Sequence, residues 1–104
     1  MSYDYAGLAA LADPTRRSIF ELVAAQPRSV VALVRSLSVS QPAVSQHLRV
    51  LKDARLVQSR PQGASNIYYL DAHGLGEMRA WLDRMWGDAL DAFQNEFADK
   101  EMKP

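Results

Sequence analysis

The chain has 104 residues, with 12 basic side chains balanced by 12 acidic ones and no cysteine. This length predicts one compact domain spanning residues 1–104, and the absence of cysteine excludes disulfides and thiolate metal sites. No segment approaches the ~18 apolar residues of a membrane span, and the acidic N-terminal sequence lacks the basic region of a signal peptide, so we expect a cytoplasmic protein.

Two helices are predicted in the first quarter of the chain. Residues 3–12 combine apolar side chains with alanines and glycine, as in a short helix that packs closely against a neighbour. Asp13 and Pro14 predict the start of a second helix, because aspartate caps free amide groups and proline suits the first helical position. This helix ends before Pro27. The apolar positions are Tyr5, Leu8 and Leu11 in the first helix and Ile19, Phe20, Leu22 and Val23 in the second.

Arg16 and Arg17 fall in the first turn of the second helix. Positive charge at this end opposes the helix dipole, so the two arginines need a separate explanation. Contact with phosphate and a structural ion pair are both open at this point.

The next two helices are joined by a very short connection. Apolar spacing of i, i+3, i+4 and i+7 predicts a third helix, and residues 38–40 separate it from a fourth helix at residues 41–54. Two helices connected by three residues form a helix-turn-helix. The apolar residues of the third helix are Val30, Leu33, Val34 and Leu37.

The fourth helix has one apolar face and one polar face. Ser40 is suited to cap its start and Pro42 to occupy its first turn. Its amide, hydroxyl and arginine side chains suit the major groove of DNA, because amides pair with adenine edges and arginine with guanine or phosphate. An ordinary amphipathic surface helix is the alternative, which periodicity alone favours, whereas the helix-turn-helix context favours DNA. The apolar face comprises Val44, Leu48 and Leu51, and the polar face Pro42, Ser45, Gln46, Arg49 and Asp53.

A β-hairpin is predicted directly after the fourth helix. Residues 56–62 and 65–70 read as two strands around a turn at Gly63, and Pro61 indicates an exposed edge. A hairpin in this position is a wing. The predicted fold is therefore mainly α with a small β-hairpin, a winged helix-turn-helix with four helices, two strands and a final helix.

The final helix is predicted from Asp71 to about Lys100, with a broad apolar stripe and with Gly74, Gly76 and Gly87 weakening it locally. A domain this small has little room for so many large apolar side chains, so part of the stripe should be buried against a second chain. The alternative is that the helix folds back over its own domain. The stripe contains Leu75, Met78, Trp81, Leu82, Met85, Trp86, Ala89, Leu90, Phe93 and Phe97.

Charge is unevenly distributed along the chain. Residues 13–70 contain eight basic and three acidic side chains, whereas residues 71–104 contain four basic and eight acidic ones. Such segregation attracts a polyanion to one part of the surface and keeps it from another, and it supports nucleic-acid binding without proving it.

Three stretches together resemble the ArsR-type family of winged-helix bacterial repressors: LADPTRRSIFELV, then LSVSQPAVSQHLRVLKDARLV, then a glycine-turn wing ending in YYL. The resemblance runs from Leu8 to about Phe97. It implies a homodimer in which the first and last helices, residues 1–12 and 71–100, form the interface around a DNA-binding core at residues 13–70. It also implies that paired recognition helices enter successive major grooves and that the protein represses its own operon until an effector releases it.

The resemblance assigns roles to individual positions of this chain. The base-facing residues it implies are Gln41, Ser45, Gln46 and Arg49, with Pro42 in the same first turn. The implied backbone contacts are Ser40, His47 and Lys52, and those of the wing are Arg60 and Asn66. The dimer interface expected from the stripe and the resemblance comprises Tyr5, Leu8, Leu75, Met78, Leu82, Met85, Trp86, Ala89 and Phe93.

The sequence departs from the metal-sensing members of this family. A cysteine-valine-cysteine triplet is replaced by Ser29-Val30-Val31, which supplies no thiolate. Asp71-Ala72-His73 matches half of a second type of site, but the other half falls on Arg84 and Gly87, which are not metal ligands. We therefore predict no metal and no cofactor, and read Asp71 as a helix cap and His73 as a surface residue. Residues 62–65 at the wing tip also lack the arginine often found there.

Two other functions compete with DNA binding. An enzyme is disfavoured because the sequence has no nucleophile elbow, no phosphate loop and no carboxylate-histidine cluster at catalytic spacing. A winged-helix module that binds protein instead of DNA is the stronger alternative, and the neutral net charge permits it. Such a groove favours apolar or aromatic anchors, whereas Ser45, Gln46 and Arg49 offer hydrogen bonds, which favours a DNA-binding regulator. The sequence identifies neither an effector nor an operator.

Overall fold

We analysed the protein as a computed structural model, which describes the backbone of residues 3–102 and the side chains of residues 6–96. Five helices and three strands follow one another along the chain. They are α1 (Tyr3–Ala10), α2 (Pro14–Ala25), β1 (Arg28–Ser29), α3 (Val30–Ser36), α4 (Gln41–Asp53), β2 (Val57–Gln62), β3 (Ser65–Leu70) and α5 (Ala72–Met102). The side chains of Tyr5 and Phe97, both assigned to apolar helix faces from the sequence, lie outside the described residues.

The predicted helix caps are present. Asp13 precedes α2 and its Oδ1 accepts a hydrogen bond from the backbone N–H of Arg16 at 3.0 Å. Ser40 precedes α4, and its Oγ accepts from the backbone N–H of Ala43 at 3.3 Å. Each cap satisfies an amide that has no partner within its own helix, which fixes where α2 and α4 begin.

The core lies where α2, α3 and α4 meet the sheet. Its side chains are apolar and fully enclosed, so each contributes about 1.5 to 3 kcal/mol to folding through removal from water. The helix-turn-helix is therefore held together by apolar packing. The largest fully buried side chains are Ile19, Val23, Leu33, Val44, Leu48, Leu51, Leu56 and Val57.

The sheet has a third strand that the sequence did not predict. The strand order is β1-β3-β2, with both pairs antiparallel, and Arg28 and Ser29 of β1 pair with Tyr68 and Ile67 of β3. The prediction of two strands was incomplete because a strand of two residues shows no alternation of apolar and polar positions. β2 is an edge strand, which explains how it tolerates Pro61.

The connection from α4 to β2 depends on one unusual backbone position, Arg55, and on a glycine of α5 that lies directly against it. Arg55 has φ of 64°, the left-handed conformation in which helices commonly end at a glycine. The N–H of Leu56 donates to the carbonyl oxygen of Leu51 at 3.0 Å and closes this turn. A Cβ atom at Gly74 would collide with the carbonyl oxygen of Arg55, so glycine lets α5 begin directly against the end of α4.

Asp71 caps α5, as the sequence predicted. Its Oδ1 accepts from the backbone N–H of Gly74 at 2.9 Å and its Oδ2 accepts from Nε2 of Gln58 at 2.8 Å. The bond from Gly74, together with that from Gln58, holds the pKa of the Asp71 carboxyl below its ordinary value, although burial acts in the opposite direction. The ionised carboxylate therefore joins β2 to the start of α5.

Removal of this cap should destabilise the protein in a pH-dependent manner. We expect Asp71→Ala to lower the free energy of unfolding by about 1 to 2 kcal/mol at pH 7. A lowered folded-state pKa means that the carboxylate stabilises the fold above about pH 4 and loses this effect as pH falls further. The difference from wild type in urea unfolding should therefore shrink at pH 3. Asp83→Ala, at an exposed carboxylate of α5, is the control; equal effects of both substitutions would contradict the cap assignment.

The last helix leaves the core after its first turns. Leu75 and Met78 pack against the core, and Gly7 permits α1 to approach Met78 closely. Beyond them, α5 continues to residue 102, and the described part of the molecule has a long axis of 69 Å. In this part the helix does not fold back over its own domain, because its large apolar side chains stay exposed. Their exposed fractions are 36% for Leu82, 45% for Met85, 67% for Trp86, 49% for Leu90 and 65% for Phe93. None of the helices in the described part is long and apolar enough to cross a membrane.

Candidate nucleic-acid interface

α4 presents a continuous polar face to solvent. Val44, Leu48 and Leu51 are completely buried and anchor the opposite side of the helix in the core. The polar side chains therefore have a rigid base, which is what a helix needs to hold donors and acceptors in register with base edges.

Nine of the ten positions assigned to DNA from the sequence are exposed. The tenth, His47, is half-buried at the edge of α4 that faces α2. Their exposure makes these residues accessible to a ligand. The nine exposed positions are Ser40, Gln41, Pro42, Ser45, Gln46, Arg49, Lys52, Arg60 and Asn66.

The two basic residues nearest the wing lie on opposite sides of β2. Nζ of Lys52 donates to Oγ of Ser59 at 3.0 Å, which ties the end of α4 to the side of the hairpin that faces it. Because side chains alternate along a strand, Arg60 lies on the other side, where its guanidinium is 5.2 Å from the ring centroid of Tyr69. At this distance the cation is attracted by the negative face of the ring.

Asn66 and Arg60, predicted together as contacts of the wing, are not brought together. Asn66 is paired with Pro61 and Arg60 with Ile67, so the two side chains lie on opposite faces of the hairpin. Asn66 instead lines a cleft of about 210 Å³ with Gln41 at the start of α4. The other residues of this cleft are Ser29, Val30, Val31, Ala64 and Ser65.

The cleft adds Ser29 and Ser65 to the polar groups near α4, and sequence analysis missed both. The pairing of β1 with β3 carries the start of α3 beside the wing tip, so these hydroxyls depend on a strand that gave no signal in the sequence. Ser29 also caps α3, since its Oγ accepts from the backbone N–H of Ala32 at 3.2 Å. This bond gives Ser29 a structural role at the start of α3.

Arg16 and Arg17 both reach the carboxyl end of α1. Nη1 of Arg16 donates to the carbonyl oxygen of Ala10 at 3.1 Å, and Nη1 of Arg17 donates to that of Leu11 at 3.2 Å. Carbonyl oxygens at a helix end lack partners in the helix and carry negative partial charge. The two arginines therefore stabilise the end of α1, although their charge is unfavourable at the start of α2. The described partners of Arg16 and Arg17 are therefore carbonyl groups and not the carboxylate of an ion pair, and contact with phosphate is not tested by these bonds.

Arg16 also contacts α4. Its Nε donates to Nδ1 of His47 at 3.3 Å. The same group of side chains includes Asp13, whose pKa is lowered chiefly by its hydrogen bond from the Arg16 amide, with a smaller effect from the nearby Arg16 guanidinium. The start of α2, the end of α1 and the middle of α4 thus meet at one polar cluster.

The half-matched metal motif has other contacts in this structure. Asp71 is committed to its cap, and Nε2 of His73 lies 3.7 Å from Oε2 of Glu77 on the next turn of the exposed helix surface. Residues 6–96 contain no group of three or more histidine, cysteine, aspartate or glutamate side chains placed to hold a metal ion. The absence of a metal requirement stays a prediction.

The order α3, short turn, α4, β-hairpin, together with the exposed polar face of α4, defines a winged helix-turn-helix protein. Residues 13–59 match the model of the bacterial regulatory protein arsR family. The chain is 55% identical over 84 residues to the HTH-type transcriptional regulator Rv2034 of Mycobacterium tuberculosis. The aligned region covers 81% of this chain and 78% of that protein. The chain belongs to the ArsR family and is a transcriptional regulator with a winged-helix DNA-binding domain.

Further relatives extend this assignment. The HTH-type transcriptional repressor SmtB of M. tuberculosis is 42% identical over 71 residues, covering 68% of this chain and 53% of that one. An ArsR-like transcriptional regulator from Rhodococcus sp. RHA1 superposes with a TM-score of 0.75 at 28% identity, covering 89% and 91% of the two chains. The winged helix-turn-helix DNA-binding domain of Mb0332 from Mycobacterium bovis, described as homodimeric, shares the fold at 23% identity and a TM-score of 0.67, covering 86% and 83%.

Proposed function

We propose that the protein is a dimeric repressor that binds an inverted-repeat operator through α4 and regulates its own operon. The observation that carries this proposal is the face of α4 on which Ser45, Gln46 and Arg49 are exposed while the opposite side is completely buried. Hydrogen-bonding side chains on a rigid helix are what direct readout of the major groove requires. We further propose that the protein acts in the cytoplasm and has no catalytic activity.

The proposed dimer places α5 of one chain against a second chain, with α1 beside it. In the single chain, Leu82, Met85, Trp86, Leu90 and Phe93 form an exposed apolar surface on one helix. Monomeric soluble proteins rarely expose a contiguous apolar patch of this kind, and burial of large side chains against a second copy removes them from water. Leu75 and Met78 already pack against the core, so they support the base of the interface rather than its centre.

A dimer also matches the geometry of DNA. One winged helix reads a half-site, and specific affinity normally requires two such helices about one turn of DNA, roughly 34 Å, apart. A symmetric dimer then requires a symmetric operator. Repression is supported by the similarity to a relative named as a transcriptional repressor.

The proposal is tested by selecting binding sites from a random DNA library with the purified protein. We expect enrichment of an inverted repeat whose half-sites lie about one helical turn apart, with affinity that falls steeply as salt increases. Enrichment of a single unpaired half-site would contradict the dimeric arrangement. If no sequence is enriched and no binding to random DNA is found, the protein is a winged-helix module for protein partners.

The same DNA assay tests the prediction that metal ions do not change operator binding. Zinc, cadmium or nickel at stoichiometric concentration should leave operator affinity unchanged, because cysteine is absent and Asp71 is engaged as a helix cap. A known metal-responsive member of the family serves as the positive control. Stoichiometric release of DNA that a chelator reverses would contradict the prediction.

A further inference from the structure

Arg16 connects three helices through one guanidinium group. It belongs to α2, donates from Nη1 to the Ala10 carbonyl at the end of α1, and donates from Nε to Nδ1 of His47 on α4. A shallow cleft of about 310 Å³ lies beside this guanidinium, between α1 and the second half of α4. The other residues lining the cleft are Ala6, Ala9, Ala10, Val50, Asp53 and Ala54.

The bond from Arg16 determines which nitrogen of His47 carries the proton. A nitrogen that accepts a hydrogen bond from an arginine N–H must itself be unprotonated, because guanidinium groups only donate. A neutral imidazole whose Nδ1 is an acceptor carries its proton on Nε2 and donates there. Arg16 therefore specifies an Nε2–H donor at the edge of the recognition helix.

That donor is accessible. His47 is half-buried, and no buried side-chain nitrogen or oxygen among the described residues lacks a hydrogen-bond partner. With Nδ1 bonded to Arg16, the opposite ring nitrogen therefore reaches solvent. His47 lies on the edge of α4 that faces α2, whereas Lys52 contacts the wing through Ser59 on the other edge. The two residues thus flank the polar face of α4, as the two phosphate backbones flank a helix in the major groove.

We propose that Arg16 is a positioning residue that holds His47 as an Nε2–H donor to a DNA phosphate, and thereby couples α1 to the recognition helix. This inference rests on the proposed function for its DNA partner. The arrangement of the two side chains can be tested in the free protein without DNA. The first test therefore separates failure of this inference from failure of the proposed function.

The test in the free protein uses nitrogen-15 NMR of the histidine side chains. The chain has only two histidines, so substitution of the exposed His73 assigns the two sets of signals. At a pH where both rings are neutral, we expect His47 to show a single Nε2–H tautomer. Arg16→Met should shift it toward the mixture of tautomers of an unrestrained imidazole, measured in a short histidine peptide. A proton on Nδ1 of His47 in the wild type, or no change on removal of Arg16, would overturn the inference.

The test with DNA uses two substitutions of His47, each of which can replace the hydrogen bonds of only one ring nitrogen. Gln at position 47 can place an amide donor near the former Nε2, whereas Asn reaches only the region of Nδ1. We expect His47→Gln to bind DNA within about twofold of wild type, and His47→Asn and Arg16→Met each to lose roughly tenfold, as for one phosphate contact. The loss should be equal for operator and random DNA, because phosphates carry no sequence information.

Arg17→Met is the matched control, since Arg17 also donates to the end of α1 but has no bond to α4. In a His47→Gln background, Arg16→Met should cost much less than in the wild type, whereas the effect of Arg17→Met should be the same in both backgrounds. Thermal unfolding of every variant separates loss of DNA contact from loss of fold. If His47→Asn binds as well as wild type, or His47→Gln binds as poorly as His47→Asn, His47 is a packing residue only.

Discussion

A single charge placed in the exposed apolar surface of α5 is expected to produce a folded monomer that no longer binds the full operator. Met85→Arg and Leu82→Asp are the clearest substitutions, because both side chains lie in the middle of the apolar stripe and are at least 36% exposed in the single chain. Their replacement removes little packing from the chain itself. In a dimer, however, the new charge would be buried without a partner at a cost of several kcal/mol.

The effect on operator binding should exceed the effect on any single contact. A monomer presents one recognition helix and keeps only the contacts of a half-site, together with weak attraction to phosphates. In a dimer, binding of one recognition helix holds the other near its half-site at a high effective concentration, which raises the overall affinity. A monomer loses this gain in affinity. We expect specific binding to approach that for random DNA.

Sedimentation or light scattering, combined with a gel-shift titration, measures both consequences. Asp91→Arg is the matched control, since it introduces the same arginine at an exposed position on the polar side of the same helix, away from Leu82 and Met85. The control should remain dimeric and bind normally. A wild-type protein that is monomeric at micromolar concentration, or Met85 and Leu82 variants that remain dimers, would place the interface elsewhere.

The helix-turn-helix could be predicted from sequence because its signals are local. Asp13 and Ser40 mark helix starts through their own side chains, and the spacing of Val44, Leu48 and Leu51 reports directly on the buried face of α4. The cap at Asp71 was predicted for the same reason. These features require only the chemistry of residues within one or two helical turns.

Features that depend on long-range contacts escaped prediction. β1 exists because Arg28 and Ser29 pair with β3 nearly forty residues later in the chain. A segment of two residues is too short to show a pattern that predicts this pairing. Gly74 looked like a weak point in a helix, yet its lack of a Cβ atom is what allows Arg55 to approach. In both cases the reason lies in a distant segment whose position the sequence pattern does not give.

The candidate site shows the same division. Exposure of the polar residues of α4 follows from helical periodicity, but the faces on which Arg60 and Asn66 lie depend on the register of the hairpin. With Gly63 at the turn, that register places the two residues on opposite sides. The bond between Arg16 and His47 spans 31 residues and has no counterpart in any local pattern.

Substitutions at Gln46 and Arg49 should reduce operator binding and leave the fold intact. Both side chains are exposed on the side of α4 away from the buried core, and alanine is the best helix former, so thermal unfolding should hardly change. We expect Gln46→Ala and Arg49→Ala each to cost about 1 to 3 kcal/mol of operator binding, the usual value of a base contact. The loss should appear as a reduced ratio of operator to random-DNA affinity.

Lys52→Ala provides the comparison that separates base readout from attraction to phosphate. Lys52 is exposed and held beside the wing by Ser59. Its removal should weaken binding to operator and random DNA alike. The slope of log affinity against log salt concentration should fall by about one, because one fewer counterion is released. If Gln46→Ala and Arg49→Ala behaved in this way too, α4 would only contact the backbone. Operator choice would then reside in DNA shape or in Gln41 and Asn66 at the cleft between α4 and the wing, where Gln41→Ala is the next substitution to measure.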